Sequence, residues 1–388
     1  MLATRVLRRF REQFQQEPVL VRAPGRVNLI GEHTDYNEGL VLPAAIDREF
    51  VFAVAANSGP VTHALASDKQ EACSFGLDDL VPGRGWQHYL MGMQHGFHQI
   101  GIPFQGLNVV FGSEIPEGAG LSSSAALCCG FGFAMSEALQ LNLARLGIAK
   151  IAQYAEHTFA GVKCGIMDPY ASLFGKSGHA MLLDCRSITH EYVPWMSDDL
   201  QLVLVDSRVK HALASTAYNE RRLACETAVR TLHTFYAGIK SLRDVTEVML
   251  LERQDTLGEE VFVKARFVVQ ENRRLQQAVA CIRQGDFEGF GRLLNQTHWA
   301  LSKEYEVSCE ELDFLVTIAE EEKGVLGSRM MGGGFGGCTL NLIRRHRVDF
   351  FRGLVFEKYV AQFEKEPDFY LVNLADGVSR LTASPIQI

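Results

Sequence analysis

Apolar positions along this chain recur in two periods, and the stretches that carry each period follow one another from end to end. Leu2, Val6, Leu7, Phe10 and Phe14 repeat at helical spacing among Arg5, Arg8, Arg9 and Arg11, which predicts an amphipathic opening helix laid on a domain surface. An Arg-rich opening also has the look of an organellar transit peptide, but it lacks the continuous apolar centre of a secretory signal. Residues 19–23, 40–42 and 50–55 are rich in branched and aromatic side chains and predict strands, the first ended by Pro24-Gly25. A helix fits residues 86–100, and a short strand fits 107–111. A Gly/Pro loop follows, then an apolar run to about residue 139 that is long enough for a buried helix. Residues 145–159 predict another helix, and 180–184 and 200–205 return to strand. From about Ala217 to Trp299 the pattern is mainly helical. Ser308-Cys-Glu-Glu311 has the spacing of a capping box, opening a helix that stops at Gly324. A glycine-rich loop, a strand over 338–343, a helix and a final strand complete the chain.

Two strand-and-helix blocks meet near residues 194–199, so the chain divides into 1–197 and 198–388. With 388 residues, 47% hydrophobic and 22% charged, there is ample material for a large core. The net charge of −8 excludes a general nucleic-acid binder, which needs a basic footprint. No segment approaches the run of about 18 apolar residues that crosses a bilayer. Nine cysteines, an odd number with no C-x-x-C pair, speak against a disulfide framework or a zinc site and for a reducing, cytoplasmic setting.

Three segments are rich in special residues, although the second, taken alone, fits a glycine-rich turn with serine caps equally well. Residues 22–39 hold two arginines, three acids, a histidine, two asparagines and a threonine among glycines and a proline. A polyhydroxylated ligand needs such a density of donors and acceptors, because each buried hydroxyl must be paired. The stretch Pro116-x-Gly118-Ala119-Gly120-Leu121-Ser122-Ser123-Ser124-Ala125 lies between a predicted strand and a predicted helix. Its glycines allow backbone approach, and its serines fall where free N–H groups attract an anion. It is not a Walker A loop, since no Gly-Lys-Ser/Thr follows. Gly332, Gly333, Gly334, Gly336 and Gly337 form the third segment, and a single tight turn rarely needs more than two glycines. Taken singly, Glu156 reads as a solvated helix acid, Asp168 as a cap or turn residue, and Tyr218 as core. Trp86 and Tyr89, at i and i+3, share one helix face and fit a core stripe equally well.

In this order and spacing the three segments resemble the galactokinase branch of the GHMP small-molecule kinases, and the resemblance covers essentially the whole chain. It implies an α/β fold of two domains: an N-terminal mixed sheet with the phosphate-loop helix, and a C-terminal ferredoxin-like antiparallel sheet backed by helices. The active site lies between them. It implies transfer of the ATP γ-phosphoryl group to the C1 hydroxyl of α-D-galactose, with ATP and Mg²⁺ required, in a monomer or weak dimer. Carried over residue by residue, Asp168 faces the anomeric hydroxyl with Arg26 beside it. Glu32, His33, Asp35, the backbone of Gly165 and the phenol of Tyr218 bind the sugar. Residues 118–125 wrap the phosphates, Trp86 and Tyr89 flank the adenine, and Ser124 and Glu156 ligate Mg²⁺. The glycines of 332–337 let a loop of the second domain close on the site.

One position departs from the pattern. Galactokinases usually carry glutamine after the Gly-Ile-Met-Asp segment, and Pro169 stands here, which biases Asp168 toward an extended backbone. The alternatives are a kinase for N-acetylgalactosamine or arabinose, or a non-catalytic galactose and ATP sensor. Sensors of this family carry a damaged phosphate loop, whereas residues 122–126 are intact.

Overall fold

The computed structural model describes residues 1–116, 118–210 and 214–382, with the backbone alone at 210, 214 and 215. Glu117 of the phosphate loop lies outside the described residues. Helix α1 (Leu2–Phe14) precedes β1 (Val19–Asn28), β2 (Leu40–Val41), β3 (Pro43–Ala56), β4 (Thr62–Ala66) and β5 (Glu71–Phe75). Then come α2 (Trp86–Gln99), β6 (Leu107–Ser113), α3 (Ser123–Ala138), α4 (Arg145–Ala155), α5 (Met167–Phe174), β7 (His179–Asp184) and β8 (Thr189–Pro194). The second half runs β9 (Leu200–Lys210), α6 (Ala214–His233), α7 (Glu247–Glu252), α8 (Gln254–Leu257), α9 (Glu259–Gln284), α10 (Phe287–Ala300) and α11 (Glu310–Glu321). It ends with β10 (Val325–Met330), β11 (Gly336–Arg344), α12 (Val348–Phe363), β12 (Asp368–Val372) and β13 (Ser379–Arg380).

A six-stranded sheet has the order β13-β1-β3-β6-β4-β5, antiparallel except for the parallel pair β4 and β6. It is the expected mixed sheet. A four-stranded sheet has the order β10-β11-β9-β12 and is antiparallel throughout. With helices between β9 and β10 and between β11 and β12, that order is the ferredoxin-like β-α-β-β-α-β arrangement. The chain then returns to the first sheet, where Val21 pairs with Arg380. A small sheet, β2-β7-β8, completes the architecture.

The apolar stripe of α1 packs on the first sheet, where Val6, Leu7 and Phe10 meet Leu20, Val51, Leu65 and Val110, as its periodicity predicts. α3 is apolar nearly all round and buried accordingly. A Cβ at Gly130 would fall 2.3 Å from the Phe52 ring, so this glycine lets α3 seat closely on β3.

Three expectations are corrected. β1 does not end at Pro24-Gly25 but runs on to Asn28, with a register shift between Pro24 and Arg26. Strands β4, β5, β8 and β10 are additions, and two strands, β12 and β13, stand where one final strand was expected. The capping box at Ser308 is absent: Cys309 occupies the N-cap position, and the Ser308 hydroxyl donates to Asp313 Oδ1 instead.

Candidate active site

The bulge in β1 places the first functional side chain. A Cβ at Gly25 would fall 2.8 Å from the Leu121 carbonyl, so glycine there lets the phosphate loop approach the strand. The Arg26 N–H donates to that carbonyl at 3.2 Å. The Arg26 guanidinium, 4% exposed, grips Asp168 with two bonds of 2.8 Å, Nε to Oδ1 and Nη2 to Oδ2. Its Nη1 donates to the Gly120 carbonyl at 2.6 Å. Ser122 adds a hydroxyl bond to Asp168 Oδ2.

Asp168 belongs to the first turn of α5, not to an extended segment, which corrects the expectation raised by Pro169. First-turn N–H groups have no partner inside a helix, so a proline there loses no bond. The first intrahelical bond falls one residue later, from Tyr170 N to Ile166 O at 3.1 Å. Pro169 therefore stiffens the turn that presents Asp168.

Glu32, His33 and Asp35 follow β1 on a buried loop. Both bonds to Glu32 fall on Oε1, from Arg329 Nη2 at 2.9 Å and from the Gly332 N–H at 2.8 Å. Burial opposes its charge, but Arg329 and Arg26 prevail and hold the carboxyl below its ordinary range. His33 takes a positive φ of 61° and shares a 2.8 Å bond from Nδ1 with Tyr36, whose phenol meets Tyr305. Burial pushes its imidazole down to about 4, and its Nε2 finds no partner among the described residues. Loss of solvent, then the nearby Asp168 charge, push the Asp35 carboxyl up to about 7. Gly165 touches this acid: a Cβ there would fall 1.9 Å from Asp35 Oδ2.

Arg26, Glu32, His33, Asp35, Asp168 and Tyr218 line one cavity of about 930 Å³, partly open to solvent. Ser124, Glu156, Gly332, Gly333 and Gly334 complete its wall. A second cavity of about 1030 Å³ is lined by Trp86, Tyr89, Phe50, Phe111, Ser123 and Ser124. Ser124 lines both, at the start of α3, so the passage between them runs past the positive end of that helix. Gly118 and Gly120 have φ of 79° and 74°, and Ser122 is left-handed as well. Ala119, Leu121 and Ala125 bury their side chains and anchor the loop from beneath. The Trp86 indole is fixed by a 2.7 Å bond to Glu71 Oε2.

Glu156 lies in a single turn of π-helix (Glu156–Ala160) that extends α4, within the span predicted to be helical. Such turns recur at functional sites. It is buried, 5% exposed, and its Oε2 accepts from Ser124 Oγ at 3.2 Å while Oε1 has no partner among the described residues. Desolvation, then Asp168, push its carboxyl up to about 7. An orphaned carboxylate oxygen beside a hydroxyl fits a hard divalent cation that takes its other ligands from phosphate and water, as Mg²⁺ does. No group of three His, Cys, Asp or Glu side chains among the described residues is placed to hold a metal by itself.

The glycine run of the second half lies against the phosphate loop, backbone to backbone. A Cβ at Gly337 would fall 3.3 Å from the Gly118 carbonyl, and one at Gly332 3.4 Å from that of Gly120. Gly336, with φ of 124°, lets the Val209 carbonyl approach.

Sequence reasoning missed Arg329, the Tyr36–Tyr305 pair, Cys164 in the first cavity, and Asp68 and Lys69 in the second. Its place just ahead of the glycine run was the available signal for Arg329. Tyr36 lies within the polar segment 22–39, and Tyr305, Cys164, Asp68 and Lys69 carry no local mark.

Residues 8–56 match the galactokinase galactose-binding signature, 88–176 the GHMP kinases N terminal domain and 278–354 the GHMP kinases C terminal domain. A galactokinase from Roseiflexus sp. (strain RS-1) is 42% identical over 98% of both chains. The crystal structure of Lactococcus lactis galactokinase complexed with galactose superposes with a TM-score of 0.94 at 32% identity, covering 98% of this chain and 100% of that one. Methanococcus jannaschii mevalonate kinase, at 16% identity and a TM-score of 0.65 over 93% of this chain and 100% of that one, shares the fold. By sequence and fold, the chain belongs to the galactokinase family of GHMP kinases.

Proposed function

We propose that this kinase transfers the γ-phosphoryl group of ATP to the C1 hydroxyl of α-D-galactose, with Mg²⁺, in the cytoplasm. The observation that carries this is the Arg26–Asp168 pair, set between the sugar-side groups Glu32, His33 and Asp35 and the Ser124–Glu156 pair. Arg26 and Ser122 occupy Asp168 Oδ2, and Arg26 takes one lone pair of Oδ1. The second lone pair of Oδ1 is the one left to accept the hydroxyl proton. Phosphoryl transfer through a loose transition state needs positioning more than a strong base. Asp168 orients the hydroxyl and takes its proton, while Arg26 offsets charge on the transferring group. Ser124 and Glu156 would hold the metal, which supplies charge neutralisation at the phosphates. Trp86 and Tyr89 flank the adenine in the second cavity, and residues 118–125 wrap the phosphates. A monomer or weak dimer and a reducing compartment, with which the nine unpaired cysteines accord, complete the proposal.

Glu32, with Oε1 already occupied, presents only Oε2 to a hydroxyl, while Asp35 and His33 Nε2 supply the remaining polar contacts. A sugar with one hydroxyl misplaced would leave one of them buried and unpaired, which is the basis for rejecting the 4-epimer. ATP consumption with galactose, glucose, N-acetylgalactosamine and arabinose tests the assignment. Turnover should be strong with galactose and weak with glucose. Comparable turnover with glucose, or none with any of the four, overturns it.

Gly165→Ala is expected to raise the galactose KM by roughly tenfold or more, the worth of one charged hydrogen bond, with the ATP KM unchanged. The new methyl would displace the Asp35 carboxylate. An unchanged galactose KM would remove Asp35 from the sugar site.

A further inference from the structure

Taking Glu32 as a sugar-binding acid, which rests on the function proposed above, its setting is built from the far end of the chain. Arg329 is fully buried and lies 297 residues from Glu32 in sequence. Its guanidinium donates to Leu29 O, Asn28 O, Met330 O and Glu32 Oε1. With the Gly332 N–H on the same oxygen, Arg329 fixes which carboxylate oxygen is left for the ligand. Both donors flank Met330, the last residue of β10, so the direction of that peptide sets them together.

Met330 is held through both of its backbone groups. Its carbonyl accepts from Arg329, and its N–H donates to His298 Nδ1 at 3.2 Å. His298 reaches it because α10 and β10 touch through glycines: a Cβ at Gly327 would fall 2.3 Å from the Gly291 carbonyl. An imidazole nitrogen that accepts from an amide carries no proton, so the His298 proton sits on Nε2. That nitrogen lies 3.3 Å from Asp313 Oδ1, close enough for charge attraction but without hydrogen-bond geometry to any described residue. Ser302 and Ser308 each donate to the Asp313 carboxylate at 2.6 Å. Burial opposes its charge, but these bonds together with His298 hold Asp313 well below the usual carboxylate range. None of these side chains lines the sugar cavity, and a histidine that merely filled space would need no acceptor at Nδ1.

We infer that Asp313 and His298 are positioning residues for galactose recognition, acting through the Met330 peptide on Arg329 and Gly332, and so on Glu32. The Met330 amide sets the imidazole tautomer, the Asp313 charge beside Nε2 favours it, and the anchored strand end aims Glu32 at the sugar.

Calorimetry of the full chain with galactose and, separately, with ADP tests this on His298→Gln and His298→Asn. Glutamine keeps a donor toward Asp313 but supplies no acceptor near Nδ1. Asparagine places an oxygen there. His298→Gln should weaken galactose binding about tenfold, the worth of a misaligned charged bond, with ADP affinity within about twofold. His298→Asn should restore galactose binding to within about threefold of the parent. The galactose KM should follow the same order while kcat moves less. Equal losses of galactose and ADP in His298→Gln, or an asparagine variant as poor as the glutamine one, overturn the proposal. Should either variant fail to fold, Asp313→Asn gives the same readout in milder form, and an unchanged galactose KM there overturns it too. A parent chain that binds ADP but no galactose would instead remove the function on which this rests.

Discussion

Replacing Asp168 with asparagine is expected to lower kcat by about 10²–10⁴-fold, the usual worth of a positioned acid–base group, while galactose still binds. Asparagine keeps the shape of the side chain and one oxygen for Arg26, so the guanidinium retains a partner. It cannot take the hydroxyl proton. Asp168→Ala is the harsher change, because it leaves the buried Arg26 without its two 2.8 Å bonds. Breaking a buried pair by removing one partner costs about 3–5 kcal/mol. The alanine variant should therefore lose both turnover and several degrees of thermal stability, and the asparagine variant chiefly turnover. Turnover and galactose calorimetry on both variants separate the effects. Near-parental kcat in Asp168→Asn would sink the catalytic role and leave Asp168 as a structural partner of Arg26.

That distinction was not visible in the sequence, and the reason is instructive. Asp168, Arg26, Glu32 and Ser124 stood out because their chemistry demands particular residue types, and those types survive in a short motif. How they are held is decided by partners far away in the chain. Arg26 meets Asp168 across 142 positions, and Arg329 meets Glu32 across 297. No local period records such contacts. Glu156 was found on a stretch predicted to be helical, but the π-turn that presents it adds one residue to a turn and leaves the apolar spacing almost unchanged. Local rules misled at two places in the site itself. Pro24-Gly25 looked like the end of a strand, whereas the bulge there lets β1 continue and aims Arg26 inward. Pro169 argued for an extended Asp168, whereas the start of a helix is the one place where the missing N–H costs nothing. Strands β4 and β5 escaped notice because they are five residues each, and β5 is mostly exposed.

Glu156→Gln should move stability and activity in opposite directions. In the wild-type chain the folded carboxyl titrates near 7 instead of the ordinary 4.5, because burial and Asp168 disfavour its charge. The unfolded chain therefore releases this proton from about pH 4.5 upward, and the folded chain only near pH 7. Across that window the unfolded state binds fewer protons, so stability falls as pH rises. The raised pKa contributes fully below pH 4.5 and is lost by the time pH passes 7, a change of about 3 kcal/mol. Glutamine stays neutral and can still accept from Ser124 Oγ, so the decline should flatten. Without Mg²⁺, the variant should melt higher than the parent at pH 8 and close to it at pH 5. Turnover should move the other way and fall by about tenfold or more at a fixed Mg²⁺ concentration, because the oxygen left unpaired in the parent is the one suited to the cation. Thermal melts at the two pH values, paired with turnover over a range of Mg²⁺ concentrations, provide the check. Parallel melting curves for the two chains would show that Glu156 is not the strained charge. A more stable variant with full activity would mean that its burial serves packing and not a metal. The expected pairing, stability gained and turnover lost, is what a site produces when a buried carboxylate is kept charged for a ligand.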